Sequence, residues 1–193
     1  VKKYIDKPVG YFLFLSCYNM FTPQEVLELS QKVSSHYKNS NALKYIEEDA
    51  ERSNMTSNGQ SFIDITIPSM DGGELKLSDI IRDNKLTLVD CWASWCGPCR
   101  AETPILAEVY NQYKDKGFQV LGVATWDQPK DTKKAIEDLK ITWPQILNAQ
   151  NTPSELYGFN GIPHIILFGP DGTIVARDLR GDALKAKVKE MMQ

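Results

Sequence analysis

Leu86-Thr-Leu-Val-Asp90-Cys-Trp-Ala-Ser-Trp-Cys96-Gly-Pro-Cys99-Arg-Ala-Glu102-Thr-Pro104 is the stretch on which the reading of this chain turns. Leu86 to Trp92 is a short apolar run of the kind that fills a buried strand, and Gly97 to Lys116 has the pattern of an amphipathic helix. Cys96 therefore stands just ahead of a helix, where unpaired N–H groups and the positive end of the helix dipole favour a negative sulfur. Its pKa is expected to fall below that of a free thiol, which makes it the nucleophile candidate. Cys99, about one turn into the helix, is better shielded and placed to attack Cys96 and release a mixed disulfide. Pro98 fits the first turn, where its missing N–H costs no hydrogen bond. Pro104 removes an i to i−4 bond and is expected to kink the helix.

The residues around the two cysteines divide by their surroundings. Asp90 is a carboxylate flanked by Leu88, Val89, Cys91 and Trp92, so a place in the sheet interior and a raised pKa are expected. Cys91, next along the strand, points to the opposite face and reads as a small buried hydrophobe; Cys17, in its own apolar stretch, reads the same way. Trp92 reads as core, whereas Trp95 reads as an apolar rim against which substrates lie. His164 opens a later apolar run and reads as a packed or solvated side chain outside the catalytic set. Zinc needs four ligands, and Cys17, Cys91, His36 and His164 are too scattered to complete a site with the pair, so no metal is expected. A purely structural disulfide closing so short a loop would stabilise little, so reactivity explains the pair better.

The whole run resembles the thioredoxin active site, and its C-x-x-C-R-x-E-x-P form resembles the TlpA/ResA-like branch. The resemblance implies that Asp90 shuttles a proton to or from Cys99, directly or through water. Glu102, at i+3 from Cys99, joins the catalytic set as a group that tunes thiol acidity, or is a solvated helix residue. The stretch Gly161-Ile162-Pro163, followed by the apolar run to Phe168, resembles the cis-proline loop that faces the dithiol. That implies that the Ile162 backbone pairs with an extended substrate by strand addition at Pro163. Gly181 matches the glycine that completes this groove, and Trp95, Gly97 and Pro98 fill out the substrate-binding set. In one departure, no lysine stands inside the strand from Phe118 to Thr125, where thioredoxins often carry one near the buried Asp; this is expected to raise Asp90's proton affinity further. The resemblance spans about Gly59 to Gln193.

With 193 residues, 42% apolar content and a net charge of −3, the chain can hold one sizeable core and an appendage. It has no basic stripe for nucleic acid and no apolar run near the ~20 residues of a membrane helix. It opens at Val1 rather than Met, which leads us to expect that an upstream part was removed. Two regions are expected: a helical N-terminal segment over 1–57 and a thioredoxin-like domain over 58–193. The first reads as three helical pieces, opened by Pro8, by the capping box Thr22-Pro23-Gln24-Glu25 and by Asn41 as a cap, with Ser53 to Gln60 as linker. The second begins with a hairpin: a strand from Ser61 to Ile67, a turn from Met70 to Glu74 and a return from Leu75. Strands follow at Leu86–Trp92, 118–125, near Ile146, 164–169 and 173–178, with helices at 97–116, 130–139 and 182–191. The fold class is α/β, a thioredoxin fold whose central mixed sheet is flanked by helices, with a central insertion between Thr125 and Leu156.

The activity implied is that of a thiol-disulfide oxidoreductase needing no cofactor beyond the Cys96–Cys99 pair. Its partners would be protein thiols and disulfides and an upstream dithiol donor such as a membrane reductase. The helical segment resembles that of secreted Bacteroidetes-type members, which suggests a periplasmic or cell-envelope compartment. Gly-Pro between the cysteines matches thioredoxin, at about −270 mV, rather than oxidants near −120 mV, so a reductant is expected. A thiol peroxidase is one alternative, though Trp92 to Cys99 lacks the P-x-x-x-T-x-x-C pattern it would need. A peptide-binding module using the groove at Ile162 and Pro163 is another.

Overall fold

The computed structural model describes residues 1–68 and 74–193, and the turn expected from Met70 lies outside the described residues. The chain divides into two compact units: Val1–Met55 with Tyr157–Phe159, and Thr56–Leu156 with Asn160–Gln193.

The first unit is built on α1 (Pro8–Cys17), α2 (Pro23–Gln31) and α3 (Asn41–Met55). Proline opens both α1 and α2, where its fixed φ suits the first turn. At Thr22 the capping box closes reciprocally: the Glu25 N–H donates to the Thr22 hydroxyl at 3.2 Å and the Thr22 N–H donates to the Glu25 carboxylate at 3.1 Å. The cap of α3 differs from the expectation. Ser40, not Asn41, accepts the Leu43 N–H at 3.2 Å, because its hydroxyl stands one residue before the first helical one. α3 also runs on to Met55, so the first residues of the expected linker are helical. Phe14, Val26, Leu29, Leu43 and Ile46 fill the core of this unit, and Tyr11 stacks on Tyr37 with centroids 4.3 Å apart. Cys17 is half-buried rather than buried, since the last turn of α1 faces partly outward; its thiol donates to the Leu13 carbonyl.

In the second unit, β1 (Thr66–Pro68) pairs antiparallel with β2 (Glu74–Lys76), which leads straight into α4 (Leu77–Arg82). The remaining elements are β3 (Leu86–Trp92), α5 (Gly97–Tyr113), β4 (Phe118–Ala124), α6 (Pro129–Asp138), β5 (Gln145–Ile146), α7 (Thr152–Tyr157), β6 (His164–Phe168), β7 (Ile174–Arg177) and α8 (Gly181–Met191). Five strands form one sheet in the order β5-β4-β3-β6-β7. β3 runs parallel to β4 and β4 to β5, while β6 is antiparallel to both β3 and β7. This is the mixed sheet flanked by helices that the α/β reading expects.

Two local expectations are corrected. Ser61 to Ile65 is not strand: the chain from Gly59 instead bonds along the start of β7, Gly59 N–H to the Ile174 carbonyl and Phe62 N–H to the Gly172 carbonyl, both at 2.8 Å. The backbone donors there are satisfied by a neighbour far along the chain, which no local pattern announces. α4 and α7, six residues each, carry no sequence signal of their own, because so short a helix shows less than two turns of periodicity.

All seven residues of β3 are buried, which makes it the central strand from which the site is built. Leu86 and Leu88 pack with Leu106 and Val109 of α5, Val120 of β4, Ile165 and Leu167 of β6, and Leu184 and Val188 of α8. Truncating any of these leucines to alanine should cost about 2–5 kcal/mol. α5 continues unbroken through Pro104, so the proline removes one helical donor without ending the helix.

Candidate active site

β3 delivers the chain to Trp92 and α5 starts at Gly97, so Cys96 becomes the N-cap of α5. Cys96 and Cys99 are joined by a disulfide with Cα atoms 5.3 Å apart. The Cys96 sulfur accepts the Cys99 N–H at 3.2 Å, occupying the place a capping oxygen would take at the positive end of the helix. Both residues are buried, Cys96 at 4% and Cys99 at 1% exposure, so the nucleophile is less open than the sequence suggested. Gly97 and Pro98 are exposed over the pair.

The second stretch arrives from far along the chain. The Ile162–Pro163 bond is cis, and the Ile162 carbonyl oxygen lies 3.7 Å from the Cys96 sulfur. Arg180, absent from the sequence reading, donates to the Pro163 carbonyl at 2.8 Å and to Asp178 at 2.9 Å. Its neighbour Gly181 has φ +55° and donates its N–H to Glu102 at 2.6 Å. Glu102 is therefore buried and committed to the start of α8, so the reading of it as a solvated helix residue does not hold.

Asp90 lies in the middle of β3, paired with Gly122 of β4 and Ile165 of β6, and is 5% exposed. Burial, reinforced by the charge of Glu102, pushes its carboxyl up to about 7. One of its oxygens has no hydrogen-bond partner. A carboxyl with that affinity and a free lone pair can take up and return a proton near neutral pH.

Trp92 is buried and donates its indole N–H to Gln145 at 2.9 Å, whereas Trp95 is 62% exposed with its indole N–H on the Trp126 carbonyl at 3.0 Å. Across β3 from Asp90, Cys91 sits opposite His164 of β6. Burial and the neighbouring Asp90 push the Cys91 thiol well above its usual range, which makes it a poor nucleophile. Burial, then the Arg177 guanidinium, lower His164 to about 4, and Arg177 bonds its ring at 3.0 Å. Among the described residues no group of three His, Cys, Asp or Glu is gathered to hold a metal.

The family model described as AhpC/TSA family matches residues 58–177, more than half of the chain. The chain belongs to the AhpC/TSA family. Relatives named as thiol-disulfide oxidoreductases match it as well. The thioredoxin domain of a thiol-disulfide oxidoreductase from Bacteroides vulgatus is 41% identical, covering 71% of this chain and 99% of its own, with a TM-score of 0.65. A thiol:disulfide interchange protein from Bacteroides sp. is 42% identical over 69% of this chain and 89% of its own, with a TM-score of 0.62. Thiol-disulfide oxidoreductase ResA from Geobacillus thermodenitrificans is 25% identical over 135 residues, 70% of this chain and 76% of that protein. This AhpC/TSA-family chain is thus a TlpA/ResA-like protein of the thioredoxin superfamily, with its Cys96–Cys99 pair at the head of α5.

Proposed function

We propose that this thiol-disulfide oxidoreductase works as a reductant of protein disulfides in the periplasm or cell envelope, recharged by an upstream dithiol donor. In the reduced enzyme the Cys96 thiolate attacks one sulfur of a substrate disulfide, forming a mixed disulfide and expelling the other sulfur as a thiolate that takes a proton. Asp90 accepts the Cys99 proton, and the Cys99 thiolate attacks the Cys96 sulfur. The second substrate thiol leaves, and the Cys96–Cys99 disulfide remains. The substrate chain lies along the Ile162 backbone beside Pro163, with Trp95, Gly97 and Pro98 as its apolar border and Gly181 at the far edge. Glu102 keeps the proton affinity of Asp90 high.

The observation that carries this reading is the Cys96 sulfur capping α5 within 3.7 Å of the Ile162 carbonyl, one sulfur facing both a thiolate-stabilising helix end and the backbone of the cis-proline loop. The reducing direction is supported by the Gly-Pro pair between the cysteines. No described helix is long and apolar enough to cross a membrane. Cys99→Ser tests the division of labour: it should accumulate mixed disulfides through Cys96, read by mass spectrometry of non-reduced protein. Normal turnover by that variant would overturn it.

A further inference from the structure

Asp127 follows β4 and is 3% exposed, yet it has no part in the chemistry described so far. Its carboxylate is fully occupied. One oxygen accepts the Ser94 N–H at 2.7 Å and the Thr132 hydroxyl at 2.7 Å; the other accepts the Ser94 hydroxyl at 2.9 Å and the Gln128 N–H at 2.9 Å. Its own carbonyl accepts from the Gln150 side chain at 2.9 Å. The residue before it, Trp126, has φ +57°, a left-handed conformation that bulky side chains rarely adopt and that tends to persist where the surroundings over-determine it. In that conformation its carbonyl receives the Trp95 indole N–H at 3.0 Å. Arg100, in the first turn of α5, donates to the Ser94 carbonyl at 3.3 Å. Ser94 is thus held at its N–H, hydroxyl and carbonyl, and Trp95 at its indole, immediately before Cys96.

We propose that Asp127 is a positioning residue for disulfide exchange: it clamps the Ser94–Trp95 segment so that the exposed Trp95 ring meets a polypeptide substrate in one fixed arrangement beside Cys96. The inference rests on the exchange reaction proposed above. The clamped segment and Arg100 form one side of an open groove of about 340 Å³, lined on the other side by Asp131, Lys134 and Asp138 of α6. A substrate chain lying across Cys96 has this groove within reach, and a loose Ser94–Trp95 segment would present it with many arrangements instead of one.

The chemistry explains why a carboxylate stands here. Each of its oxygens accepts from a backbone N–H, Ser94 at one and Gln128 at the other. An amide turned either way sets its NH₂ against one of these donors, and a backbone N–H cannot reverse its role. Asp127→Asn is therefore a small change in shape that breaks the clamp.

The test measures three properties of Asp127→Asn: steady-state reduction of a peptide disulfide with dithiothreitol as reductant, alkylation of reduced Cys96 by iodoacetamide, and hydrogen exchange of the Trp95 indole N–H by NMR. KM for the peptide should rise about tenfold, while kcat and the alkylation rate stay within about twofold, and the Trp95 indole should exchange faster. Val188→Ala, a core control in α8, should lower stability without moving any of the three. A folded Asp127→Asn protein with wild-type KM and wild-type Trp95 exchange overturns the proposal. Should that variant not fold, Ser94→Ala decides: loss of the hydroxyl contact alone should raise KM about threefold, and an unchanged KM overturns the proposal. If wild-type protein fails to reduce the peptide, the functional reading falls, and Trp95 exchange still tests the clamp.

Discussion

Asp90 and His164 are both buried ionisable groups pushed toward their neutral forms, on opposite faces of one sheet, and they are held in different ways. Asp90 pairs across β3 and β6 with Ile165, while His164 pairs with Cys91, so the alternation of the strands separates the two side chains. His164 has a ring nitrogen on Arg177 at 3.0 Å and is part of a network that runs on through Arg177 to the Thr56 hydroxyl at 2.7 Å. Asp90 has an oxygen with no partner and the charge of Glu102 beside it. A buried polar group left unsatisfied costs stability, and a carboxyl kept that way in the strand that leads to the dithiol would stay available to take up a proton. Burial alone therefore does not distinguish a working group from a packing group. The satisfaction of hydrogen bonds is what separates these two.

Asp90→Asn should have the largest effect. Removing the proton acceptor should slow peptide-disulfide reduction about a hundredfold at pH 7, read in steady state, with alkylation of Cys96 less affected. The same variant should be more stable than wild type at neutral pH. Burial and the charge of Glu102 push the folded carboxyl up to about 7, well above the ordinary carboxylate range, so the fold retains a proton that the unfolded chain releases. That penalty is absent below about pH 4, grows as the pH rises and is complete above about 7, where it amounts to about 4 kcal/mol. Urea unfolding of Asp90→Asn from pH 4 to 8 should lack this decline. An unchanged profile would mean that Asp90 is an ordinary ionised carboxylate, and the contrast with His164 would collapse.

His164→Gln should act on stability alone. Burial and the Arg177 guanidinium hold the ring down to about 4, below its ordinary value, so its contribution is fully present above about pH 6.5 and is lost as the pH falls toward 4. Between pH 4 and 6.5 the two residues thus tilt the stability curve in opposite senses. Each substitution should unmask the other's slope: His164→Gln leaves stability falling with rising pH, and Asp90→Asn leaves it rising. Exchange by His164→Gln should stay within about twofold of wild type, and a larger loss would move His164 into the working set.

Much of this was legible in the sequence because its signals are local. The apolar run ending at Trp92, the Cys96–Cys99 spacing and the Pro163 that precedes an apolar strand each declare an element and its end. Asp90 announced itself as a carboxylate flanked on both sides by the apolar residues of a buried strand. What stayed hidden depends on partners distant in the chain. Glu102 stands out beside the dithiol in sequence, yet the choice between tuning thiol acidity and plain solvation turns on the Gly181 N–H that it holds. Asp127 reads as a polar residue after a strand, and its four donors come from Ser94, Gln128 and Thr132. The only sequence cue for it is an acid placed just past a strand that neighbours the dithiol strand. Similarly, Ser61 to Ile65 alternates like a strand but lies along β7 only at its start, because pairing is a property of two segments and alternation of one.

The central claim is that the Cys96–Cys99 pair is a reducing dithiol, and the equilibrium of that pair against a glutathione or dithiothreitol series tests it most directly, with mass spectrometry identifying which cysteines change state. The account predicts that only Cys96 and Cys99 cycle, at about −270 mV or lower. A value near −120 mV would make the protein an oxidant, and a pair that does not cycle would contradict the account altogether.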